Sequence, residues 1–473
     1  MAHNDGGNSL TLEKIQSMTS FVAIITSFLI AFSGSAINLA IPPISEEFHS
    51  SATLTGWIVN AFILVSAALS VPFGRVADLA GKKRILVPGI LVFSLMSVAI
   101  VFSGSIETMI FLRALHGIGI AMIASTNVAI LIDVFPPEKR GKVLGSSTAA
   151  VYIGLSVGPV MGGLLTHYLG WRSIFIFSAV LGFVVFFAAL KNLPETGRER
   201  GEGRFDLPGN IMYVGMIACL MYGFSAFAES WAARSLMAAG AALALLFVFH
   251  ERRAKSPIIE IRLFSRNAGY IFANLAALLN YGATFAVGYL LSIFLQVIKG
   301  YDTQAAGLIL ISQPLMMAVV SVIAGKLSER FQPSRLASAG MGIGTVGLFL
   351  FAFISQSYSL LYITISLAVL GIGFGLFSSP NTNAIMSCVE AKDYGVASSI
   401  IATMRSMGQT SSMAIVTLIF ATTLGNASFA NASPELLVLC TRICFWIFTA
   451  ECVVGTIFSL QYRKPAAAAP PSA

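Results

Sequence analysis

The sequence predicts an all-α polytopic membrane protein, and its composition and its long apolar segments support this fold class. Of 473 residues, 56% are hydrophobic and 11% are charged, and the mean hydropathy is +0.83. An ordinary soluble domain carries roughly 25% charged residues. Apolar segments of about 20 residues recur from Met18 almost to the C-terminus, and each can cross a hydrocarbon core as a helix. A β-barrel is excluded because segments such as Leu86 to Val101 do not alternate between apolar and polar residues.

Fourteen membrane-spanning helices are predicted, because a helix satisfies every backbone hydrogen-bonding group within a single crossing. Residues 1–17 are polar and lack an apolar signal region, so we interpret them as a cytoplasmic tail. The last residues, PAAAAPPSA, are predicted to be disordered. The predicted spans are residues 18–42, 53–73, 85–104, 107–132, 143–166, 172–190, 208–227, 233–250, 269–296, 304–325, 336–355, 358–380, 396–424 and 437–461.

The basic residues indicate an orientation with both termini in the cytoplasm. Most of the 29 Lys and Arg fall in segments that this orientation places inside, for example between Arg75 and Arg84. The positive-inside rule requires this asymmetry. The location of these residues also explains the net charge of +8 without a nucleic-acid partner. We therefore expect a multi-pass protein of the cytoplasmic (inner) membrane of the cell.

The two halves of the chain repeat each other. GRVADLAGKKR, from Gly74 to Arg84, is echoed by GKLSERFQPSR, from Gly325 to Arg335. Two bundles of like orientation follow, and two further helices must lie between them. The predicted organisation is a tail (1–17), an N-terminal six-helix bundle (18–190), a linker (191–207), two additional helices (208–250), a second linker (251–268), a C-terminal six-helix bundle (269–461) and a disordered tail (462–473).

The loop between the second and third spans resembles a signature of the major facilitator superfamily, in which Gly-x-x-x-Asp-x-x-Gly is followed by basic residues. The glycines permit a tight turn at a helix end, and the carboxylate can cap a neighbouring helix or bind basic side chains. The resemblance implies a latch that breaks when two halves of the protein rock. Its residues would be Gly74, Asp78, Gly81 and Arg84, with Asp133 of the fourth span as a partner.

The fifth span contains GLSVGPVMGGLL, which is similar to the antiporter signature of the same superfamily. Gly154, Gly158 and Gly162 are four residues apart and form one smooth face for close helix contact. Pro159 removes a backbone donor and permits a bend.

The segments SAINLAIPPI, GYDTQAAG and SSPNTNAIM extend the likeness over nearly the whole chain, and they resemble the fourteen-helix drug:proton antiporter branch. The resemblance implies the major-facilitator fold, with two six-helix bundles in parallel pseudo-repeat and two extra helices between them. It also implies multidrug efflux by alternating access, in a monomer.

Charged residues inside the spans are candidates for substrate binding or ion coupling, because each costs roughly 2.5–3.5 kcal/mol at the bilayer centre. Arg113 is the first candidate, because FLRALHGIG resembles the fourth-helix arginine signature of the family. Arg405 and His116 lie near the predicted midplane, and Glu451 is expected to point into the bundle. An internal hydrogen bond or salt bridge is the alternative for Arg405 and Glu451. The neutral candidates are Asn38, Asn127, Asn280 and Gln409.

One position departs from the pattern of the branch. The branch commonly has an aspartate early in SAINLAIPPI, and alignment on Asn38, Ala40 and Pro42 places Ser33 there. A carboxylate in this helix can bind a proton or a cationic drug, whereas a serine does neither well. The departure argues against proton coupling and against cationic substrates.

Two functional hypotheses keep the fold. The first is a secondary exporter of a small amphipathic or drug-like molecule, coupled to protons through His116, Glu451 or the more peripheral Asp133. The alternative is an exporter or flippase of an anionic metabolite or a lipid with weak or no proton coupling, which Arg113 and Arg405 favour. The expected partners are a small-molecule substrate, protons and membrane lipid.

An enzyme is not predicted. The spans contain neither a nucleophile with its base nor paired aspartates, and GxxxxGK[ST] is absent from the sequence, so nucleotide hydrolysis is not expected. The five cysteines lack metal-ligand spacing with histidine, so neither a cofactor nor a metal is predicted.

Overall fold

The computed structural model describes residues 5–195, 205–227, 230–254, 257–258, 267–328, 330–389, 394–425 and 427–461. The described residues are helical and include no strand. The predicted C-terminal tail, the centres of both predicted linkers and Glu329 of the repeat lie outside them. The helices are α1 (Asp5–Glu47), α2 (Ala52–Ala80), α3 (Lys82–Val101), α4 (Ile106–Val134), α5 (Pro137–Leu169), α6 (Arg172–Asn192), α7 (Leu207–Ser225), α8 (Trp231–Glu251), α9 (Ala268–Thr284), α10 (Val287–Ile293), α11 (Thr303–Leu310), α12 (Ser312–Leu327), α13 (Pro333–Phe351), α14 (Leu360–Met386), α15 (Tyr394–Thr423) and α16 (Pro434–Leu460).

The predicted membrane spans coincide with these helices. Thirteen helical segments of the described chain are long and apolar enough to cross a membrane. The predicted span 396–424 coincides with α15, which is 30 residues long but is not among those thirteen. Its central part, from Arg405 to Ser412, is rich in polar residues. The all-helical polytopic fold is thus confirmed.

Two of the predicted spans are interrupted helices. The ninth consists of α9, α10 and a π-helical turn, Phe294–Ile298, and the tenth consists of α11 and α12. Breaks of this kind do not alter the average hydropathy of a segment, so the apolar pattern alone does not reveal them.

The helices pack as two six-span bundles with α7 and α8 beside them. In the N-terminal half, α1 packs on α5, and α4 packs on α2 and α3. In the C-terminal half, α14 packs on α12 and α13, and α9 packs on α15 and α16. The helix α7 packs against α8 and also touches α2 and α15, one from each half. The extra pair therefore lies across the line where the two halves meet.

Gly81 alone connects α2 to α3. Its backbone has a φ of +107°, which side chains rarely tolerate, and its N–H donates a 2.9 Å hydrogen bond to the carbonyl of Ala77. A glycine is needed here because a Cβ would strain the left-handed backbone. The turn between the second and third spans thus requires the glycine of the loop signature.

A charged cluster ties the ends of three helices of the N-terminal half together. Arg172 at the start of α6 forms a bidentate salt bridge with Glu47 at the end of α1, at 2.6 and 2.9 Å. Its Nε also donates to the carbonyl of Val101 at the end of α3. The indole N–H of Trp171 donates to the same carboxylate at 2.7 Å. This network fixes the α1, α3 and α6 ends that lie opposite the chain termini.

Candidate functional site

The two halves contact each other at the end of the bundle opposite both chain termini, which we call the far side. Here α1 contains two successive prolines, Pro42 and Pro43. A proline has no N–H, so the carbonyl four residues before it loses its helical partner. The freed carbonyls are those of Asn38 and Leu39.

Side chains of the C-terminal half bind both freed carbonyls. The hydroxyl of Ser292 in α10 donates to the carbonyl of Asn38 at 2.5 Å. The amide of Gln296 donates to the carbonyl of Leu39 at 3.2 Å and to Ser292 Oγ at 2.8 Å. We call these bonds the far-side contact. They satisfy backbone groups that would otherwise be unpaired, so the two prolines create the surface that the other half recognises.

Further bonds join the halves on the same side. Asn60 in α2 donates to Thr417 Oγ1 in α15 at 3.0 Å, and the backbone N–H of Ala52 donates to the carbonyl of Ala427 at 3.0 Å. The hydroxyl of Thr303 donates to the carbonyl of Gly163 at 3.1 Å. The halves are therefore closed on each other at the far side.

Close packing of α5 on α11 reinforces this closure. A Cβ placed on Gly163 would lie 2.3 Å from the carbonyl oxygen of Thr303, and one placed on Gly307 would lie 2.3 Å from that of Pro159. Neither position has room for a side chain. The two backbones touch because both residues are glycine.

Arg405 and Gln409 lie halfway along α15, one helical turn apart. Arg405 is exposed and Gln409 is half-buried. Neither side chain has a hydrogen bond or ion pair with any residue that the structure describes. An unpaired guanidinium at this depth is costly in lipid, so the position indicates a polar space.

Tyr152 of α5 faces this region from the N-terminal half. Its phenol lies near Ser321 in α12 and Ser378 in α14, and close enough to Arg405 and Tyr281 to interact electrostatically. Hydroxyl groups and a guanidinium from both halves thus surround one point between them. The sequence interpretation included Arg405 but missed Tyr152, because aromatic residues in apolar spans are usually packing residues.

Arg113 lies inside the N-terminal half and not between the halves. It is 0% exposed, and its Nε donates to the carbonyl of Ile58 at 3.1 Å. Its guanidinium lies 4.0 Å from the centre of the Phe62 ring. Nη2 has no hydrogen-bond partner among the described residues. In this conformation a substrate between the halves does not reach Arg113.

His116 is the acceptor for Arg113. Nη1 of Arg113 and Nδ1 of His116 are 3.1 Å apart, and Nε2 of His116 is 3.1 Å from Ser97 Oγ. A guanidinium can only donate, so Nδ1 must be the unprotonated nitrogen and Nε2 carries the hydrogen. Ser97 accepts that hydrogen and donates to the carbonyl of Phe93 at 2.8 Å. With a neutral imidazole on His116, every donor in this series of hydrogen bonds therefore faces an acceptor.

Glu451 points into the C-terminal bundle. Its Oε2 is buried and has no hydrogen-bond partner among the described residues. A Cβ placed on Gly282 would lie 3.3 Å from this oxygen and 3.4 Å from Ser411 Oγ, so the carboxyl faces α9 and α15. Asn280, two residues earlier in α9, also has a buried side-chain oxygen without a partner among the described residues. The carboxyl oxygen therefore lies in a poorly solvated place, where its charged form is costly.

The side chain of Asn127 forms hydrogen bonds only with residues of α1 among the described residues. Its amide donates to the carbonyl of Ala23 at 3.1 Å and to Ser27 Oγ at 2.8 Å, and its oxygen accepts from Thr26 at 3.1 Å. All three partners belong to α1. The structure thus places this predicted site residue in the contact between α1 and α4. Asn38, by contrast, lies between the halves, where its amide is 3.2 Å from a Cβ placed on Gly288.

The loop signature forms ion pairs on the side of the termini. Lys82 pairs with Asp133 at 2.7 Å, and Arg84 lies 3.7 Å from Glu195 in an exposed position. The basic residue that reaches Asp133 is therefore Lys82 and not Arg84. Asp78 has an interaction partner within the structure. At Gly74 a Cβ would meet only Ser125, at 3.8 Å.

The antiporter signature packs α5 against α1. Cβ atoms placed on Gly154 and Gly162 would lie 2.7 Å from the carbonyl oxygens of Phe28 and Ala36. One placed on Gly158 would lie 1.8 Å from Ser35 Oγ. These glycines face α1, whereas the carbonyl of Pro159 faces α11. The helix α5 is thus pressed between the two halves.

No metal site emerges in the described parts of the chain. They contain no group of three or more His, Cys, Asp or Glu side chains that could hold an ion. The five cysteines are free.

Two bundles of membrane-spanning helices that meet along one face, with unpaired polar side chains between them, define a multi-pass membrane transporter and not an enzyme. The comparison of the sequence with known families leads to the same class of protein. The chain belongs to the Major Facilitator Superfamily, whose profile matches residues 23–413 and 273–472. This confirms the family that the motifs indicated.

The relatives include export proteins. The chain is 32% identical over 423 residues to the cephamycin export protein CmcT of Amycolatopsis lactamdurans, covering 87% of each chain. It is 29% identical over 430 residues to the multidrug resistance protein Stp of Mycobacterium tuberculosis, covering 90% of this chain and 79% of the relative. It is also 27% identical over 444 residues to the riboflavin transporter RibZ of Clostridioides difficile, covering 94% and 96%.

Solved structures show the same fold. A bacterial homolog of the human lysosomal transporter Spinster, in an inward-facing and unoccupied conformation, matches with a TM-score of 0.67 at 15% identity. The match covers 98% of this chain and 100% of that one. The POT family transporter PepTSo matches with a TM-score of 0.68 at 14% identity, covering 94% of this chain and 97% of that one.

Proposed function

We propose that this protein is a secondary active exporter that moves a small amphipathic or drug-like molecule by alternating access and is coupled to proton entry. The observation that carries the proposal is the unpaired polar surface of Arg405 and Gln409, which Tyr152 of the other half faces. Cargo bound there would contact both halves and would be released when they rock. The export function named for one relative, CmcT, and the multidrug resistance named for another, Stp, support the direction of transport.

The remaining parts of the proposal follow from the orientation. With both termini in the cytoplasm of a cell membrane, the far side would face outward, and this conformation would be closed to the outside. The protein would act as a monomer, with residues 18–190 and 269–461 as the moving halves and residues 208–250 beside them. The loop residues Gly74, Asp78, Gly81 and Arg84 would act as a latch on the inner side.

Among the candidate proton carriers, the geometry favours Glu451. Protonation of Nδ1 of His116 would place an N–H against the guanidinium of Arg113 and break the bond between them. Asp133 is engaged by Lys82 at 2.7 Å. The Glu451 oxygen has no such partner, and proton binding would remove the cost of its buried charge.

The test is transport in proteoliposomes with an imposed pH gradient. We expect fluorescent drug movement in wild type to depend on the gradient, and Glu451→Gln to bind drug but lose that dependence. Glu435→Gln is the matched control, because Glu435 is an exposed carboxylate in the first turn of the same helix. A wild-type transport rate that is the same with and without the pH gradient would contradict the proposed proton coupling.

An anionic cargo is the second candidate, and Arg405 favours it. An unpaired guanidinium attracts carboxylates and phosphates through paired N–H donors. The riboflavin transporter among the relatives also points beyond cationic drugs. A ligand panel read by thermal shift decides between the two: stabilisation by anionic or neutral planar compounds, and not by cationic dyes, supports the anion.

A further inference from the structure

A separate cavity of about 480 Å³ opens at the far side. The N-terminal half contributes the ends of α1 and α5 to its wall, and the C-terminal half contributes residues 296–297, 301–303 and 429–430. We call it the outer vestibule. It adjoins the far-side contact, because Gln296 belongs to both and the lining includes Pro42 and Pro43, which free the bonded carbonyls.

The lining of the outer vestibule is acidic. Glu46 and Asp302 contribute carboxylates and His167 an imidazole, while none of the lining residues is Lys or Arg. The side chain of Glu46 has no hydrogen bond or ion pair with any described residue. Asp302 uses one oxygen to cap α11, accepting from the N–H of Ala305 at 2.7 Å. Neither carboxylate forms an ion pair with a described residue.

Other lining groups suit an organic ligand. Tyr301 and Phe429 present aromatic rings, which attract cations. Thr166 is 7% exposed, and its hydroxyl has no hydrogen-bond partner among the described residues. Even a water molecule occupies only about 30 Å³. A cavity of about 480 Å³ is therefore far larger than a bare metal ion needs.

We propose that the outer vestibule binds a monovalent organic cation from the far side and thereby holds the two halves closed. The ligand would lie between Glu46 of the N-terminal half and Asp302 of the C-terminal half, so its binding requires both walls in place. Separation of the halves at the far side would divide the site. Binding therefore favours the closed arrangement by mass action. This site is distinct from the region of Arg405, and the inference does not depend on the identity of the cargo.

The first experiment measures the thermal stability of the purified full-length protein against tetraethylammonium chloride, with sodium chloride at equal ionic strength as the reference. We expect saturable stabilisation of wild type. The double variant Glu46→Gln/Asp302→Asn should raise the apparent Kd about fivefold or more, because two exposed charge contacts are lost. Glu435→Gln, an exposed far-side carboxylate that does not line the vestibule, should leave it unchanged.

A second pair of variants tests whether binding needs closed halves. Gly307→Val places a side chain against the backbone of Pro159 and forces α5 and α11 apart, although Gly307 does not line the vestibule. Gly342→Val adds the same group where nothing lies within 4 Å. We expect the first variant to lose stabilisation by tetraethylammonium and the second to keep it. Both must elute as monodisperse protein without ligand.

The outcomes separate this proposal from the proposed function. Stabilisation that survives Arg405→Ala but not Glu46→Gln/Asp302→Asn supports the outer vestibule. Stabilisation that is lost in Arg405→Ala alone places the cation in the route between the halves and overturns the inference. Absence of any effect beyond that of sodium chloride, or an unchanged Kd in the double variant, also overturns it.

Discussion

Ser292 donates a 2.5 Å hydrogen bond to the carbonyl oxygen of Asn38, which Pro42 leaves without a partner in its own helix. The bond joins the two halves through a backbone group and not through a second side chain. Its strength therefore depends on the break in α1 that the proline causes. A conformational change that opens the far side must expose this carbonyl to water.

The far-side contact should stabilise the closed arrangement. We expect Ser292→Ala/Gln296→Leu to speed hydrogen–deuterium exchange in residues 36–47 and 287–303 roughly tenfold, because two hydrogen bonds of about 0.5–1.5 kcal/mol each are lost. Ser338→Ala is the control, since Ser338 Oγ donates to Ser459 Oγ at 2.8 Å within the C-terminal half. Equal exchange in wild type and the double variant would show that these bonds do not hold the halves together.

The glycine face of α5 should not accept a methyl group. We expect Gly158→Ala to cost about 1–3 kcal/mol in unfolding free energy, because the Cβ would lie 1.8 Å from Ser35 Oγ. Combining it with Ser35→Ala should recover part of the loss. Gly145→Ala in the same helix, where nothing lies within 4 Å, should be neutral or stabilising. Denaturant unfolding in detergent measures the three variants against wild type, and identical costs at positions 145 and 158 would contradict the packing described.

Arg113 and His116 should be energetically coupled. We expect His116→Ala to destabilise the protein by about 1–3 kcal/mol, because Nη1 of a buried guanidinium loses its acceptor. Arg113→Lys should cost a similar amount, since an ammonium lacks the fork that reaches both Ile58 and His116. The double variant should cost less than the sum of the two. His167→Ala serves as the control, because His167 is an exposed histidine. Strict additivity of the two destabilisations would show that Arg113 and His116 act independently.

Much of the fold could be predicted from the sequence, because membrane spans are set by a one-dimensional property, the length of an apolar segment. The turn at Gly81 is also local, and its motif indicates it. The rotation of each helix about its axis is not local. Arg113 and Arg405 are both arginines in apolar spans, yet one is sealed inside a half and the other is exposed.

The far-side contact shows a signal that sequence reasoning could have used. Pro42 and Pro43 predict that two carbonyls of α1 need outside donors, but the sequence does not say which helix supplies them. Ser292 and Gln296 lie about 250 positions further along the chain, and only the packing of the two halves brings them to α1. For the same reason Tyr152 was missed, since its importance depends on partners from the other half.

The central claim is that cargo passes between the halves at Arg405. The most direct measurement is cargo transport in proteoliposomes by Arg405→Ala, with Arg234→Ala on the peripheral helix α8 as the matched control. We expect Arg405→Ala to lose at least about tenfold in transport rate, as the loss of one charge-assisted contact predicts, and to keep the wild-type unfolding temperature. We expect Arg234→Ala to transport normally. Wild-type transport by Arg405→Ala in folded protein would contradict the account.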